Sequence, residues 1–156
     1  MDNDLIDVAR LLTTHQSGAP RQALLRRAAS TAYYAVFHAL AARCASSLVT
    51  DSGSDWDTYT LVYRALDHNS ARRLFQGRDV GTVFGAEVAD FGAVFVNLQE
   101  ARILADYVPQ PFPFGKAQVA ELVERARSAC DIINAMPAGR MRRLAVLLVV
   151  RRREVV

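Results

Sequence analysis

Apolar residues recur along the chain at spacings typical of helices. Between residues 84 and 98 they lie three and four positions apart, at Phe84, Val88, Phe91, Phe95 and Leu98. This spacing indicates a helix that buries one face. The same rhythm predicts a buried position at 102, where the chain has an arginine. Because an unpaired buried guanidinium costs several kcal/mol, we expect Arg102 to bind a carboxylate, a phosphate or water.

The whole pattern predicts an all-α bundle in a single domain, 1–156, with four core helices and short helices at each end. The predicted helices cover 5–12, 21–48, 56–66, 84–107, 116–136 and 140–153. Segment 68–76 either continues the third helix or begins a new one capped at Asn69 or Ser70. Three glycines predict a loop at 77–85, and alternate prolines predict an extended segment at 108–115.

The second predicted helix carries a stripe of small residues. Alanines are spaced four and three apart at Ala28, Ala32, Ala35, Ala39 and Ala42. Such a stripe allows another helix to approach closely, which suits the centre of a bundle. Tyr34 and His38 lie beside it. We interpret them first as core residues and second as members of a polar site, since a lone histidine is more often a satisfied core residue.

The last two predicted helices also have apolar faces. In the fifth helix we expect these side chains to point inward: Val119, Leu122, Val123, Ala126, Ile133 and Met136. The final segment contains LAVLLVV, which a strand would also tolerate, but the helical context favours a helix. We expect its packed side chains to be Leu144, Val146, Leu147 and Val150. Its arginines at 142, 143 and 151–153 would then reach water.

Composition and charge narrow the class of protein. The chain is 51% apolar, which argues against intrinsic disorder. Residues 138–156 have six arginines against one glutamate, so this end is basic although the net charge is only +3. Cys44 and Cys130 match no metal or redox spacing and are expected to be core residues. We find no signal peptide and no apolar run that spans a membrane, so the sequence predicts a cytoplasmic protein without membrane partners.

Several kinds of chemistry lack their motifs. The chain has neither a phosphate-binding glycine loop nor a Gly-x-Ser-x-Gly nucleophile motif. Three scattered histidines suggest no metal site, and we expect no cofactor. Three aspartates, Asp51, Asp55 and Asp57, precede or begin a predicted helix, where negative charge stabilises the helix dipole.

The motif LQEARILADYVP places Arg102 one turn before Asp106, with Tyr107 beside it. The pair is in the less favourable order for an isolated helix, and Asp106 opposes the dipole at the helix end. Local helix stability therefore does not explain the pair. One interpretation is a structural ion pair that closes the bundle end under Tyr107; the other is a ligand site.

Two motifs together resemble the HEPN superfamily of small helical domains. They are RRAASTAYYAVFHALAARC and LQEARILADY, and they are most similar to a bacterial branch with an Ala-Tyr-Tyr-Ala-x-Phe-His helix and an Arg-x-x-x-Asp-Tyr helix end. The likeness covers about 27–153. It implies a homodimer of helical bundles linked to RNA. Many such domains are metal-independent ribonucleases, often toxins beside nucleotidyltransferase antitoxins, or defence proteins.

The chain departs from that family's ribonuclease motif. Arg102 matches the family arginine, but the positions where a histidine would follow, 107–109, hold Tyr, Val and Pro. The branch commonly has another histidine directly after the arginine, and this chain has Ile103. A tyrosine is a poor base at neutral pH, although it can stack on a nucleobase or donate a hydrogen bond.

Three functions follow from this interpretation. The first is a non-catalytic or weakly catalytic RNA-associated domain, in which Arg102 binds a phosphate, Asp106 orients Arg102, and Tyr107 stacks or donates. The second is a metal-independent endoribonuclease at the dimer seam, in which Arg102 offsets the charge on the phosphate and Tyr107 or His38 transfers protons; Tyr34 is a weaker candidate beside this site. The third is a dimerisation or protein-interaction module without RNA activity.

Overall fold

The computed structural model describes residues 1–15, 18, 21–51 and 53–150, and the regular structure in these ranges is entirely helical. Eight helices lie in this part of the chain: α1 (Asp2–Thr14), α2 (Gln22–Leu48), α3 (Trp56–Ala65), α4 (His68–Phe75), α5 (Val80–Phe84), α6 (Ala86–Tyr107), α7 (Lys116–Ala135) and α8 (Ala138–Val149). The predicted all-α class is therefore confirmed. None of the helices in the described ranges has the length and apolar character needed to cross a bilayer.

The central helix is α2, which contacts α1, α3, α6, α7 and α8. Four of its five stripe alanines are buried, and Ala42 is half-buried. Their methyl groups leave room for neighbouring helices to pack closely on several sides. The predicted small-residue contact is thus confirmed for most of its length.

The inward face predicted for the helix now labelled α7, which packs against α2, is also buried. All six residues that the sequence pattern expected to point inward from this helix lie in the core, and so do both cysteines. Burial raises the pKa of the Cys44 and Cys130 thiols to about 12. The thiols therefore stay protonated at neutral pH, as small core residues do.

The apolar stripe at 84–98 is buried throughout, but it belongs to two helices. Phe84 ends the short helix α5, and Gly85 separates α5 from α6 with a φ of +94°. Glycine adopts this left-handed conformation without the Cβ clash of other residues. The predicted loop at 77–85 is wrong over 80–84, because Val80 and Phe84 lie four positions apart and both bury against the core.

Asp67 decides where α4 begins. Its carboxylate accepts a hydrogen bond from the Ser70 backbone N–H at 2.7 Å, so a new helix starts after it. The predicted caps at Asn69 and Ser70 are wrong, because the cap residue lies three positions before the amide that it satisfies. Asp55 caps α3 in the same way through the Thr58 N–H at 3.0 Å, which supports the helix-stabilising interpretation of the acidic residues.

The last predicted segment is a helix, α8, but with a different inward face. The buried residues are Met141, Leu144, Ala145 and Leu148. Of the four residues predicted to pack, only Leu144 is buried, and Val146, Leu147 and Val150 are exposed. The observed set follows the i, i+3, i+4, i+7 spacing of one helix face, which the predicted set does not. The arginines at 151–153 lie outside the described residues.

Arginines from other elements cap three helix C-termini. The helices α2, α6 and α7 have no basic residue in their own last turn. Arg142 donates to the Ser47 carbonyl of α2, and Arg43 donates to the Ile133 and Met136 carbonyls at the end of α7. These bonds satisfy carbonyls that a helix end leaves without partners.

The third cap joins α2 to the end of α6. Arg26 Nη1 lies 2.9–3.0 Å from the carbonyl oxygens of Leu104, Ala105 and Val108, and Nη2 donates to the Gln110 carbonyl. The guanidinium also lies 5.5 Å from the ring centroid of Phe112. Arg26 therefore fixes both the last turn of α6 and the proline-rich segment after it.

We expect Arg26→Gln to lower the free energy of unfolding by about 1–3 kcal/mol, because hydrogen bonds from a charged donor to buried carbonyls would be lost. Arg27→Gln is the matched control: Arg27 is exposed and makes no side-chain hydrogen bond or ion pair with the described residues. Its change should stay within about 0.5 kcal/mol. Urea unfolding of both variants checks this. Equal losses would contradict the capping role.

Candidate functional site

The candidate site lies where the last turn of α6 packs against the first half of α2. Arg102, Asp106 and Tyr107 come from α6, whereas Ser30 and Tyr34 come from α2. In α6 the spacing of four puts Arg102 and Asp106 on one face, and in α2 the same spacing aligns Ser30 and Tyr34. Two short polar edges therefore meet between otherwise apolar helix faces.

Arg102 is the centre of this cluster. Its side chain is 14% exposed, and its Nε lies 3.0 Å from Asp106 Oδ2. The Nε–H does not point at that oxygen and makes no hydrogen bond, so the contact is an ion pair without hydrogen-bond geometry. Nη2 donates to the Tyr34 hydroxyl at 2.6 Å. Burial lowers the pKa of Arg102, but the Tyr34 bond and neighbouring charges outweigh this effect and raise it, so the guanidinium remains charged.

Asp106 is held by both helices. Besides the ion pair, its Oδ2 accepts a hydrogen bond from Ser30 Oγ at 3.1 Å, and Ser30 is buried. This partner offsets part of the unfavourable position of a carboxylate at a helix C-terminus. The carboxylate therefore orients Arg102 from a position fixed by α2.

One edge of the Arg102 guanidinium stays open. Nη1 makes no hydrogen bond with the residues that the structure describes and is not fully buried, so it is accessible to solvent. The Tyr107 ring lies over the guanidinium, with its centroid 4.9 Å from Cζ, and Tyr107 is 66% exposed. The Tyr34 ring centroid lies 5.4 Å from the same atom. Arg102 is thus flanked by two aromatic rings beside a free donor edge.

His68 joins the site from the start of α4. Its Nδ1 shares a hydrogen bond of 2.6 Å with the hydroxyl of the buried Tyr33, and its ring stacks on Phe37 at 4.0 Å. Burial, with a further contribution from Arg102, lowers the pKa of His68. The imidazole is therefore neutral at pH 7, and its Nε2 makes no hydrogen bond with the described residues.

His38 also lies beside Tyr34, one turn further along α2. Its ring stacks on Tyr34 with centroids 6.1 Å apart, and its Nδ1 shares a hydrogen bond of 2.5 Å with the Tyr63 hydroxyl. Burial lowers the pKa of His38 as well. His38 therefore reaches Arg102 only through Tyr34, and it contacts neither Asp106 nor Tyr107.

The predicted residues come together to different degrees. Arg102, Asp106, Tyr107 and Tyr34 form one contact cluster, and His38 lies in the next layer. The sequence pattern did not indicate Ser30, and it gave His68 no role in the site. A polar residue one turn before Tyr34 on an alanine-rich face was the available signal for Ser30. For His68 the sequence offered none, because 34 residues separate it from Arg102.

Two clefts border the described structure. One, of about 590 Å³, adjoins Tyr107 and lies between α2 and the segment after α6. A larger one, of about 960 Å³, is formed by α4, α5 and α8, and shares no residue with the Arg102 cluster. No group of three or more His, Cys, Asp or Glu side chains in the described ranges is placed to hold a metal ion.

The two histidines should make stability depend on pH. Their folded pKa values lie below the usual value of about 6.5, so the unfolded chain binds protons more readily. This contribution is complete above that pH and is lost as the pH falls from 7 towards 5. Carboxylates with lowered pKa values reduce the free energy of unfolding only at lower pH, below about pH 4.

We therefore expect urea unfolding to give a smaller free energy at pH 5.5 than at pH 7. The double variant His38→Gln, His68→Gln should have a flatter pH profile. Its matched control is His15→Gln, at an exposed position after α1, which should keep the wild-type profile. A wild-type stability that stays level or rises on acidification would contradict the assignment.

Comparison with known proteins yields no relative for this fold or site. No protein-family model matches the chain, and neither a curated protein nor a solved structure matches it. The resemblance of its two motifs to the HEPN superfamily stays a prediction. The functional interpretation of Arg102 therefore rests on the geometry of the site.

Proposed function

We propose that this chain is a HEPN-like RNA-associated domain, non-catalytic or weakly catalytic, in which Arg102 binds an RNA phosphate. The observation that carries the proposal is the open Nη1 of a guanidinium whose other two nitrogens are engaged by Asp106 and Tyr34. A purely structural ion pair has no need of a free donor edge beside an exposed ring. A phosphate oxygen is the acceptor that such an edge suits best.

The neighbouring groups support a binding role for Arg102. Asp106 and Tyr34 hold its guanidinium in one orientation, so little side-chain freedom remains to be lost on binding. Tyr107 adds an exposed aromatic face, on which a nucleobase stacks without base-specific hydrogen bonds. Asp106 orients the arginine and does not transfer protons.

The partners of the domain follow from the same proposal. We propose a homodimer whose seam includes the Arg102 cluster, and an association with a nucleotidyltransferase-type antitoxin in a bacterial toxin–antitoxin or defence system. Two arguments support these partners: the two sequence motifs, and the exposed apolar surface of Ile103 and Tyr107 at the end of α6. An aromatic and an aliphatic side chain exposed together suit a contact surface.

RNA binding should depend on Arg102. We expect Arg102→Gln to weaken binding of a single-stranded RNA oligonucleotide about tenfold at low salt, because one charged phosphate contact is lost. The slope of log affinity against log salt should fall by about 0.7 for that contact. Fluorescence anisotropy at several salt concentrations measures both quantities.

Arg125→Gln is the matched control for charge. Arg125 lies on α7, is about half exposed, and among the described residues pairs with Glu121 alone. It should keep wild-type affinity, and circular dichroism should show that both variants fold. Equal weakening by the two variants would mean that Arg102 contributes only its positive charge and no specific phosphate contact. A wild type that binds no RNA at low salt would contradict the proposal and favour the protein-interaction module.

A second candidate function is metal-independent RNA cleavage. The observation that favours it is the pair of neutral histidines near Tyr34 whose Nε2 atoms make no hydrogen bond with the described residues. A histidine that is neutral near pH 7 can accept a proton, so His38 replaces the family histidine more readily than Tyr107 does.

Cleavage is tested with labelled RNA in EDTA at pH 7 on a denaturing gel. We expect a ribonuclease to lose at least tenfold in rate in His38→Gln, since general acid–base catalysis contributes about 10²–10⁴-fold. His15→Gln should cleave at the wild-type rate. Intact RNA after long incubation with the wild type would exclude this candidate and leave the binding function standing.

A further inference from the structure

The cleft beside Tyr107 has the features of a second ligand subsite. It lies between the N-terminal turns of α2 and the segment that follows α6, and has a volume of about 590 Å³. Its walls include the side chains of Gln22, Tyr107, Val108, Pro109 and Pro111. This volume falls in the range of small-molecule sites, and one aromatic ring, that of Tyr107, lines the cleft with two prolines.

Tyr107 connects this cleft to Arg102. The ring borders the cleft, and it also lies 4.9 Å from the Arg102 guanidinium. An RNA phosphate at Arg102 would therefore place the attached nucleoside beside the Tyr107 ring. An exposed tyrosine that faces a guanidinium and a cleft at once is suited to stacking on a base.

The cleft also has a rigid frame and an open donor. Gln22 Oε1 accepts a hydrogen bond from the Phe112 N–H at 2.9 Å, and Phe112 packs in a small core with Leu25 and Val119. The Gln22 amide nitrogen has no hydrogen-bond partner among the described residues and remains a donor. Arg26 lines the cleft too, but backbone carbonyls engage its guanidinium.

Positive charge also lies at the start of α2, where the helix dipole does not favour it. Arg21 and Arg27 flank Gln22 and Arg26 in the sequence, are exposed, and make no side-chain hydrogen bond or ion pair with the described residues. The first turn of α2 has no acidic residue, although the helix dipole favours one there. The only carboxylate in the cleft wall, Asp106, is already engaged by Arg102 and Ser30.

We infer that this cleft takes one unpaired nucleobase of a single-stranded RNA, stacked on Tyr107, while Arg102 holds the phosphate of the same nucleotide. The inference rests on the proposed RNA-binding function and names its substrate class. A base in a duplex is already paired and stacked, so its face is not available to Tyr107. Single-stranded RNA is therefore the ligand that fits ring, donor and charge together.

The test uses a labelled single-stranded hexamer, the same hexamer with one abasic nucleotide, and a duplex of the same sequence, with anisotropy as the readout. We expect Tyr107→Leu to weaken hexamer binding at least fivefold, while Tyr107→Phe changes it less than twofold because the ring is kept. An abasic hexamer should bind as weakly to wild type as to Tyr107→Leu. Arg125→Gln should change neither the affinity for the hexamer nor the salt slope.

Three results would overturn the inference. They are equal affinities of Tyr107→Leu and wild type for the hexamer, equal affinities of wild type for the abasic and complete hexamers, and a duplex that binds as tightly as the single strand. If Arg102→Gln still weakens binding in those cases, the phosphate site stands and only the base subsite falls. If the wild type binds no RNA at low salt, both proposals fail together.

Discussion

The end of α6 is held against α2 by charged hydrogen bonds that α6 cannot make by itself. Its last turn contains Asp106 and no basic residue, which is the wrong charge for a helix C-terminus. Arg26 supplies the missing positive charge from α2 and binds three carbonyl oxygens there. The same contact positions Arg102 and the proline-rich segment, so the candidate site depends on it.

The same contacts hold Arg102 inside the bundle and orient it for the proposed binding of an anion. It continues the apolar stripe of α6 and is nearly buried, so it needs partners inside the protein, and Asp106 and Tyr34 supply them. These partners engage two nitrogens and leave the third open at the surface. A side chain held this firmly is already oriented for an anion, and this is why structural and functional interpretations of the motif coincide on the same residue.

The arginine-rich composition has a structural explanation in part. Arg26, Arg43 and Arg142 each bridge to the carbonyls of another helix, a task that suits a planar group with several donors. Arg142 belongs to the basic C-terminal region, so some charge that the sequence suggests for nucleic acid caps α2 instead. Arg21 and Arg27, near the start of α2, are exposed and make no such bond with the described residues.

Local patterns predicted most of the helices. The period of the apolar residues placed α6 and α7 within about two residues of their ends, and the alanine stripe identified α2 as the central helix. The pattern missed α5 and the start of α4. These helices have eight residues or fewer, and such short helices are stable only through the contacts of residues such as Phe75 and Phe84 with the core.

By itself, the sequence determined that Arg102, Asp106 and Tyr107 share the end of one helix, because residues four and five positions apart lie close together in any helix. Tertiary structure alone decided that Ser30 and Tyr34 complete the cluster and that His68 joins it. It also decided that Arg26 caps α6, 78 residues away along the chain. Helix period is a local property, whereas these contacts depend on how α2, α4 and α6 cross, which the packing of the whole core sets.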